Sequence, residues 1–454
     1  MIDIVTIETP ELGDRSYLVT DGDAALVVDP QRDIERVLAA AANRGVRITH
    51  VAETHIHNDY VSGGLALARA TGAAYLVAGE EPVYFEAERT AVFGGDRLCV
   101  GSFEVTVTAT PGHTPHHLAY VVGPSGGPPT AVLTGGSMLF GSAGRTDLID
   151  PNQTHALTRS QWRSIRGLGA LPGAVSVHPT HGFGSFCSGA PAPATDASTI
   201  GAEWNVNPGL VFDEDTFVHL MLAGFGPVPS YYRHMAPLNR AGPDAANVFM
   251  PSEVGPAELR ARLAWGAWVV DLRPRRHFAA AHVPGSVNIE GGPLLATYVG
   301  WTLPWGAHVI LVGDDPGQVA RAQRDLTRIG ADRVGAHALA HVATGPGHGV
   351  RSYRLATFRD LAAAYTGHRP VVLDVRRPDE WKASHLADAM HIPLYELVAR
   401  APEVPQGTEV WVHCAGGFRA SIAASLLDNG ERELIVVDDD WSAAASHGLH
   451  VEQA

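Results

Sequence analysis

The chain has 454 residues, 45% of them hydrophobic and 18% charged, and a formal net charge of −15. Ordinary domains run to roughly 100–200 residues, so several packed units are expected, and a disordered or fibrous chain is excluded. The acidic balance lacks the cationic footprint that nucleic acid or an anionic membrane requires, which leaves small molecules or proteins as partners.

Cys99, Cys187 and Cys414 are the three cysteines, too scattered for a disulfide framework and suited to a reducing compartment. The N-terminal residues lack a basic flank followed by an apolar run, and no apolar stretch approaches the roughly 18 residues that span a bilayer. A cytoplasmic protein without a membrane partner is the expectation.

Strands are expected over 25–29 and 49–53, with a helix over 34–43 between them that Gly45 closes. Further strands are expected over 105–110, 118–122 and 131–134, each ending in a Gly- or Pro-rich turn. This is a layered α/β pattern in which motif histidines follow strand ends, where such folds place chemistry. Residues 188–197 read as an exposed loop, 213–223 as a helix, and 227–251, rich in Pro, Gly and Asn, as a connector.

An internal repeat follows. Asp271, Arg273, His282 and Ile289 align with Asp374, Arg376, His385 and Ile392 at one constant offset. Each copy reads as helix, apolar strand, Asp-x-Arg, His, second strand, then an apolar strand into a loop, a parallel α/β unit.

In the second copy the short strand 410–412 leads into His413-Cys414-Ala415-Gly416-Gly417-Phe418-Arg419, and a helix is expected over 420–427. A loop of this kind turns backbone N–H groups of Ala415, Gly416, Gly417 and Phe418 toward the sulfur, and the helix adds its positive end. Both favour the thiolate, the nucleophilic form. Arg419 is placed to bind an anionic donor or acceptor. Cys414-x-x-Gly417-x-Arg419, with Asp374-Val375-Arg376, Glu380-Trp381 and His385 upstream, resembles the rhodanese family, in which the cysteine carries a persulfide between donor and acceptor. The six-residue loop favours sulfur over the phosphate handled by phosphatases with a longer one. In the first copy Gly313 falls at the cysteine position and Gln318 at the arginine position, so that copy resembles an inactive rhodanese domain.

In the first half, His55-Ile56-His57-Asn58-Asp59-Tyr60 follows a strand, and His113 and His181 follow two others. Neutral imidazoles from separate loops can converge on Zn or Fe and leave a coordination position open. The combination resembles the metallo-β-lactamase superfamily, and Gly144-Arg145-Thr146-Asp147-Leu148, His181-Gly182-Phe183-Gly184-Ser185-Phe186-Cys187 and the run from Tyr231 to Asn239 are similar to its persulfide dioxygenases fused to rhodanese domains. That resemblance implies an αββα sandwich over 1–245, an inactive rhodanese-like domain over 246–345 and an active one over 346–454.

It also implies one Fe(II) held by His55, His113 and an aspartate, with Asp59, Asp147, His181 and Cys187 near the pocket. Two departures stand out: Gly136 occupies the position of the metal-binding aspartate, and Tyr60 replaces a second histidine. The gap is filled by water or an anion, His57 swings in as a third histidine, or metal binding is lost. The implied reaction oxidises a low-molecular-weight persulfide such as that of glutathione to sulfite with O2, and Cys414 then transfers sulfane sulfur to give thiosulfate. A homo-oligomer is expected. The alternatives are a zinc thioesterase of the glyoxalase II type, or a sulfurtransferase whose first domain is a non-oxidising scaffold; Cys187 either handles sulfur or is structural.

Overall fold

The computed structural model describes residues 2–188, 195–345, 349–367 and 369–453. Of the loop expected over 188–197, residues 189–194 lie outside the described residues, as do 346–348 at the expected boundary between the repeats. Two units emerge: Met1–Asn247 with Thr327–Gly330, and Val248–Leu326 with Ala331–Ala454. Among the described residues no helix is long and apolar enough to cross a membrane.

In the strand Phe103–Ala109, buried Phe103, Val105 and Val107 alternate with partly exposed Glu104, Thr106 and Thr108, so one face of its sheet is apolar. That face meets a second sheet whose strand Ala24–Val28 is buried on both sides. Tyr17, Leu26 and Val28 from one sheet pack with Phe103, Val105, Tyr120 and Leu133 from the other. The first sheet joins Asp3–Thr9, Asp14–Thr20, Ala24–Val28, Arg47–Ala52, Ala74–Ala78 and Arg89–Val92 in chain order; the second runs from Arg97–Val100 through Phe103–Ala109, Leu118–Pro124, Ala131–Gly135 and Ser176–Pro179 to Ser198–Thr199. Outside the first sheet the helices Glu35–Arg44 and Gly64–Thr71 bury Val37, Ala41, Leu65 and Leu67 against it. Outside the second, Thr154–Leu168 and Glu214–Gly224 bury Ile165, Leu168, Phe217 and Met221. The result is four layers, helix, sheet, sheet, helix.

Local chemistry sets the helix ends. Gly45, at φ 65°, ends Glu35–Arg44 in the left-handed conformation that glycine tolerates best, and the Asp213 carboxylate accepts from the Thr216 N–H to start Glu214–Gly224. The passage 227–251 is not only a connector, because it contains the helix Tyr232–Ala241. Pro237 lies inside that helix, and burial of Tyr232, Met235, Ala236 and Asn239 overrides the poor local propensity.

In the second unit the repeat becomes two five-stranded sheets of one topology. The first orders Ser252–Glu253, Val334–Leu339, Val309–Gly313, Trp268–Asp271 and Val287–Asn288; the second orders Arg354–Ala356, Glu433–Val437, Glu409–His413, Val371–Asp374 and Met390–His391, and all neighbours are parallel. The Asp-x-Arg of each copy is a buried clamp: Arg273 Nη2 lies 2.7 Å from Asp271 and donates to the Ala281 carbonyl at 2.8 Å, while Arg376 Nη2 lies 2.6 Å from Asp374 and donates to Ser384 at 2.7 Å. Each charge is paired, and the Nη2 of each arginine also reaches a backbone carbonyl, which favours burying the pair.

Candidate active sites

Parallel pairing of Ala24–Val28 with Arg47–Ala52, and of Ala131–Gly135 with Ser176–Pro179, makes each pair of strands end side by side. Their loops carry the motif residues. Asp29, just past the first of these strands, has φ 52°, a left-handed backbone that Asp tolerates better than most residues. Its carboxylate accepts from the Thr54 N–H and hydroxyl, both at 2.7 Å, and from the Thr180 hydroxyl, so it staples the loop of His55 to that of His181. Asn239, on the helix Tyr232–Ala241, donates to the carbonyls of His57 and Tyr60 at 2.9 Å and holds the other side of the loop.

His55, His57, His113 and His181 are buried together. Ring centroids are 4.1 Å apart for His55 and His57, 4.7 Å for His55 and His113, and 5.3 Å for His113 and His181. Three of the rings have their Nδ1 committed outward. Thr54, whose hydroxyl hydrogen goes to Asp29, accepts from His55 Nδ1 at 2.9 Å; the Arg145 carbonyl accepts from His113 Nδ1 at 2.6 Å; Asp14 and Asp59 lie 2.8 and 3.1 Å from His181 Nδ1. This leaves the Nε2 atoms of His55 and His181 facing each other at 3.3 Å, and the buried Nε2 of His113 without a partner. His57 is turned the other way: its Nε2 meets Tyr60 Oη at 2.9 Å, Asp29 at 3.2 Å and Glu53 at 3.3 Å, and its Nδ1 is unpartnered.

Electrostatics divides the four rings. Burial would lower His57, yet the Asp29 and Glu53 carboxylates raise it to about 9. Burial is likewise outweighed at His181, raised by Asp59 and Asp14. Burial lowers His113 to about 3, helped by the His181 charge, and takes His55 well below the ordinary histidine value, helped by His57. Without a metal, cationic His181 can therefore donate to neutral His55. Burial and then Asp59 push Asp14 up to about 7, and burial followed by Asp59 and Asp14 pushes the Cys187 thiol well up.

At the other end of the chain, the strand Glu409–His413 delivers Cys414, which is 2% exposed. The helix starts at Phe418, two residues earlier than expected, so Phe418 and Arg419 form its first turn and the loop proper is Cys414 to Gly417. Gly417 has φ 85°, and a Cβ there would lie 3.0 Å from Asp438 Cα, which reserves the position for glycine. No acidic residue occupies the first turn of Phe418–Leu427, whose N-terminal end follows the cysteine loop. Arg419 makes a two-pronged pair with Glu380 at 2.6 and 2.7 Å, which holds the guanidinium at the loop and partly neutralises it. Behind the cysteine, His413 stacks on Trp441 at 5.2 Å and lies 3.5 Å from Asp374. Tyr298, from the first copy, packs edge-on against Phe418 at 5.1 Å. In that copy the loop is plugged instead: Gln318 accepts from the Asp314 N–H at 2.8 Å and donates to the Leu272 carbonyl at 2.9 Å, and no thiol stands at Gly313.

Comparison with known proteins agrees with both halves. The model of the metallo-beta-lactamase superfamily matches residues 11–181, and that of the rhodanese-like domain matches 255–340 and 357–447. A hydroxyacylglutathione hydrolase of Cereibacter sphaeroides is 33% identical over 233 residues, 50% of this chain and 82% of that protein. The mitochondrial persulfide dioxygenase ETHE1 of Homo sapiens is 24% identical over 211 residues, 45% of this chain and 75% of that protein. The crystal structure of a metallo-beta-lactamase from Staphylococcus aureus subsp. aureus COL aligns with a TM-score of 0.67 and 26% identity, covering 74% of this chain and 99% of that one. The chain belongs to the metallo-β-lactamase superfamily and continues into tandem rhodanese-like domains.

Within the metallo-β-lactamase domain, donors converge as a metal requires. Groups of ligand atoms within 4.8 Å of one another are His55, His57 and His181; His113, His181 and Cys187; Asp14, Asp59 and His181; and Asp29, Glu53 and His57. Nδ1 anchoring by a carbonyl or carboxylate is the outer-shell arrangement that aims Nε2 at an ion, and the orphaned His113 Nε2 fits one. Gly136 does more than omit a carboxylate. A Cβ there would lie 2.7 Å from His113 Cγ and Nε2 and closer still to Cδ2, so the imidazole fills the space of the missing side chain. Asp147 pairs with Arg145 at 2.7 Å, in the segment whose carbonyl holds His113.

Several site residues were not singled out by the sequence motifs. His117 stacks on His55 at 4.9 Å and accepts from the Gly136 N–H at 3.0 Å, and Asp14, Asp29 and Glu53 line the cluster. The pattern Pro-Gly-His-x-x-x-His held a usable hint of His117. The three carboxylates come from separate strand ends and share no short spacing.

Proposed function

We propose that this chain is a sulfur-metabolism enzyme with two linked activities. The first domain oxidises a low-molecular-weight persulfide, R–S–SH + O2 + H2O giving R–SH and sulfite with its protons. The rhodanese-like domain over 346–454 then moves sulfane sulfur: the Cys414 thiolate takes the outer sulfur of a second R–S–SH, whose S–S bond breaks to release R–SH, and sulfite then attacks the outer sulfur of the Cys414 persulfide, so that thiosulfate leaves and Cys414 returns to thiolate. The single observation that carries this reading is the cysteine loop at the head of the helix Phe418–Leu427, with Arg419 held beside it, in one chain with a cluster of convergent imidazoles. Linkage within one chain raises the effective concentration at which product of one site meets the other.

His55 and His113 are the proposed iron ligands, and the bound metal would supply the means to activate O2 toward the persulfide sulfur. His57, clasped by Asp29 and Glu53, holds a proton at the cluster edge, and His181 with Asp59 and Asp14 holds another. Ala415, Gly416, Gly417 and Phe418 form the proposed anion cradle, and Arg419 steadies the oxyanion of donor or acceptor. The segment 246–345 is proposed as a separate, inactive rhodanese-like domain that packs against this loop through Tyr298.

A second reading, a zinc thioesterase, draws support from the likeness to the hydroxyacylglutathione hydrolase. Gly136 and Tyr60 oppose it, because both withhold donors from a two-zinc centre. The deciding experiment is elemental analysis of the purified chain, followed by O2 uptake with glutathione persulfide and hydrolysis of a hydroxyacyl thioester of glutathione. Iron with persulfide-dependent O2 uptake is expected. Zinc with thioester hydrolysis and no O2 uptake would replace this reading with the second.

A further inference from the structure

Position 136 cannot recover its carboxylate without moving His113, whose ring occupies the space. The cluster nevertheless keeps an anionic candidate on the other side. Cys187 is fully buried, and its sulfur lies with ligand atoms of His113 and His181 inside a 4.8 Å group. His113 Nε2 is buried and has no partner of its own. His181 has its Nδ1 fixed by Asp14 and Asp59.

The backbone ties these residues into one device. The Arg145 N–H donates to the Cys187 carbonyl at 2.8 Å, the Arg145 carbonyl accepts from His113 Nδ1 at 2.6 Å, and the Cys187 N–H donates to the Ser185 hydroxyl at 3.2 Å. A tetrahedral ion with bonds of about 2.0–2.3 Å holds its donors roughly 3.3–3.6 Å apart, so the observed group closes with side-chain movements of about an ångström.

We propose that Cys187 supplies the anionic ligand that position 136 has lost, so that His113, His181 and Cys187 hold one divalent cation, with His181 in the place given above to His55. The inference rests on the reading of this domain as metal-binding and is independent of the persulfide reaction. Two imidazoles and a thiolate form a softer set than two imidazoles and a carboxylate, and they favour zinc or cobalt(II) as well as iron(II). Binding exchanges one bond for another: the S–H bond breaks as the metal–sulfur bond forms, and one proton is released.

The test uses the full chain carrying Cys99→Ser and Cys414→Ser, in which Cys187 is the remaining thiol. After chelation, cobalt(II) is added and the near-ultraviolet thiolate-to-cobalt absorption is followed. A band that saturates at one cobalt per chain, and is lost on adding Cys187→Ser, is expected, with zinc affinity falling by at least the roughly 10–100-fold that loss of an outer-shell partner costs. X-ray absorption of the zinc-loaded chain needs no further variant: one sulfur neighbour at about 2.3 Å is expected. Cobalt bound without the thiolate band, a nitrogen- and oxygen-only zinc shell, or no metal bound would each overturn the inference. O2 uptake with glutathione persulfide is measured separately on the native chain. A sulfur-ligated site without uptake removes the dioxygenase reading and keeps the ligand set, whereas uptake at a site without sulfur does the reverse.

Discussion

In the first rhodanese-like copy the strand Val309–Gly313 runs into Asp314-Asp315-Pro316; in the second, Glu409–His413 runs into Cys414-Ala415-Gly416. Upstream the two are built alike, down to ring stacks of Phe278 on His282 and Trp381 on His385, each at 4.0 Å. The contrast separates scaffold from chemistry. Asp-x-Arg and the stacked histidine recur in both copies, where the arginine ties the strand end to the segment that follows, whereas the thiol and the held guanidinium occur only in the second. Two carboxylates ahead of the helix Pro316–Arg328 make that helix head hostile to an anion, and Gln318 closes the loop with neutral hydrogen bonds.

The two copies part most sharply at Cys414, the proposed nucleophile. Cys414→Ser should lower sulfur transfer to cyanide or sulfite by about 10⁴-fold or more with little change in unfolding midpoint, since hydroxyl for thiol is nearly isosteric and the nucleophile is irreplaceable. Gly313→Cys should give no measurable transfer, because a thiol there faces the Asp314 and Asp315 carboxylates and a loop that Gln318 closes, with no guanidinium at the arginine position. Unaltered transfer in the first variant, or activity created in the second in a Cys414→Ser background, would contradict the division.

Next in size is the clamp. Removing the carboxylate from Asp271 or Asp374 strands a buried guanidinium and should cost about 3–5 kcal/mol in either copy, read from denaturant unfolding. Sulfur transfer by the folded fraction should hold in Asp271→Ala and fall in Asp374→Ala, because Asp374 also faces His413 next to the nucleophile. Equal losses of transfer in both variants would show that the first copy supports the second chemically as well as by packing.

The clamp was legible in the sequence because both of its partners sit in one tripeptide and recur at a constant offset. Strand ends and glycine caps were legible for the same reason, being local. The helix Tyr232–Ala241 was hidden by Pro237 and by a composition that only burial of Tyr232, Met235 and Asn239 makes helical. The pairing of Arg419 with Glu380 was hidden as well, since the two residues lie on separate helices and the contact depends on how these pack. In the histidine cluster the rings were marked by short motifs, but the carboxylates deciding which rings are charged arrive from other strands, and the filling of position 136 by His113 is a matter of packing alone.

A milder consequence is expected where the copies meet. Arg275 and Arg276 of the first reach Asp438 of the second, at 2.7 and 2.8 Å, beside Gly417. Burial would raise the Asp438 carboxyl, but the two guanidinium groups hold it below the ordinary aspartate value. Because the folded value is the lower one, this stabilisation is fully present above the unfolded carboxylate value of about 3.9 and disappears as pH falls through the folded value. Solvent reaches the cluster, so the contribution should be at most about 1 kcal/mol and should shrink in high salt. Asp438→Asn should therefore lower the unfolding midpoint of the native chain slightly at neutral pH and not at all once the wild-type carboxyl is protonated. A difference that persists unchanged into strong acid would mean that Asp438 acts through the shape of the Gly417 turn and not through its charge.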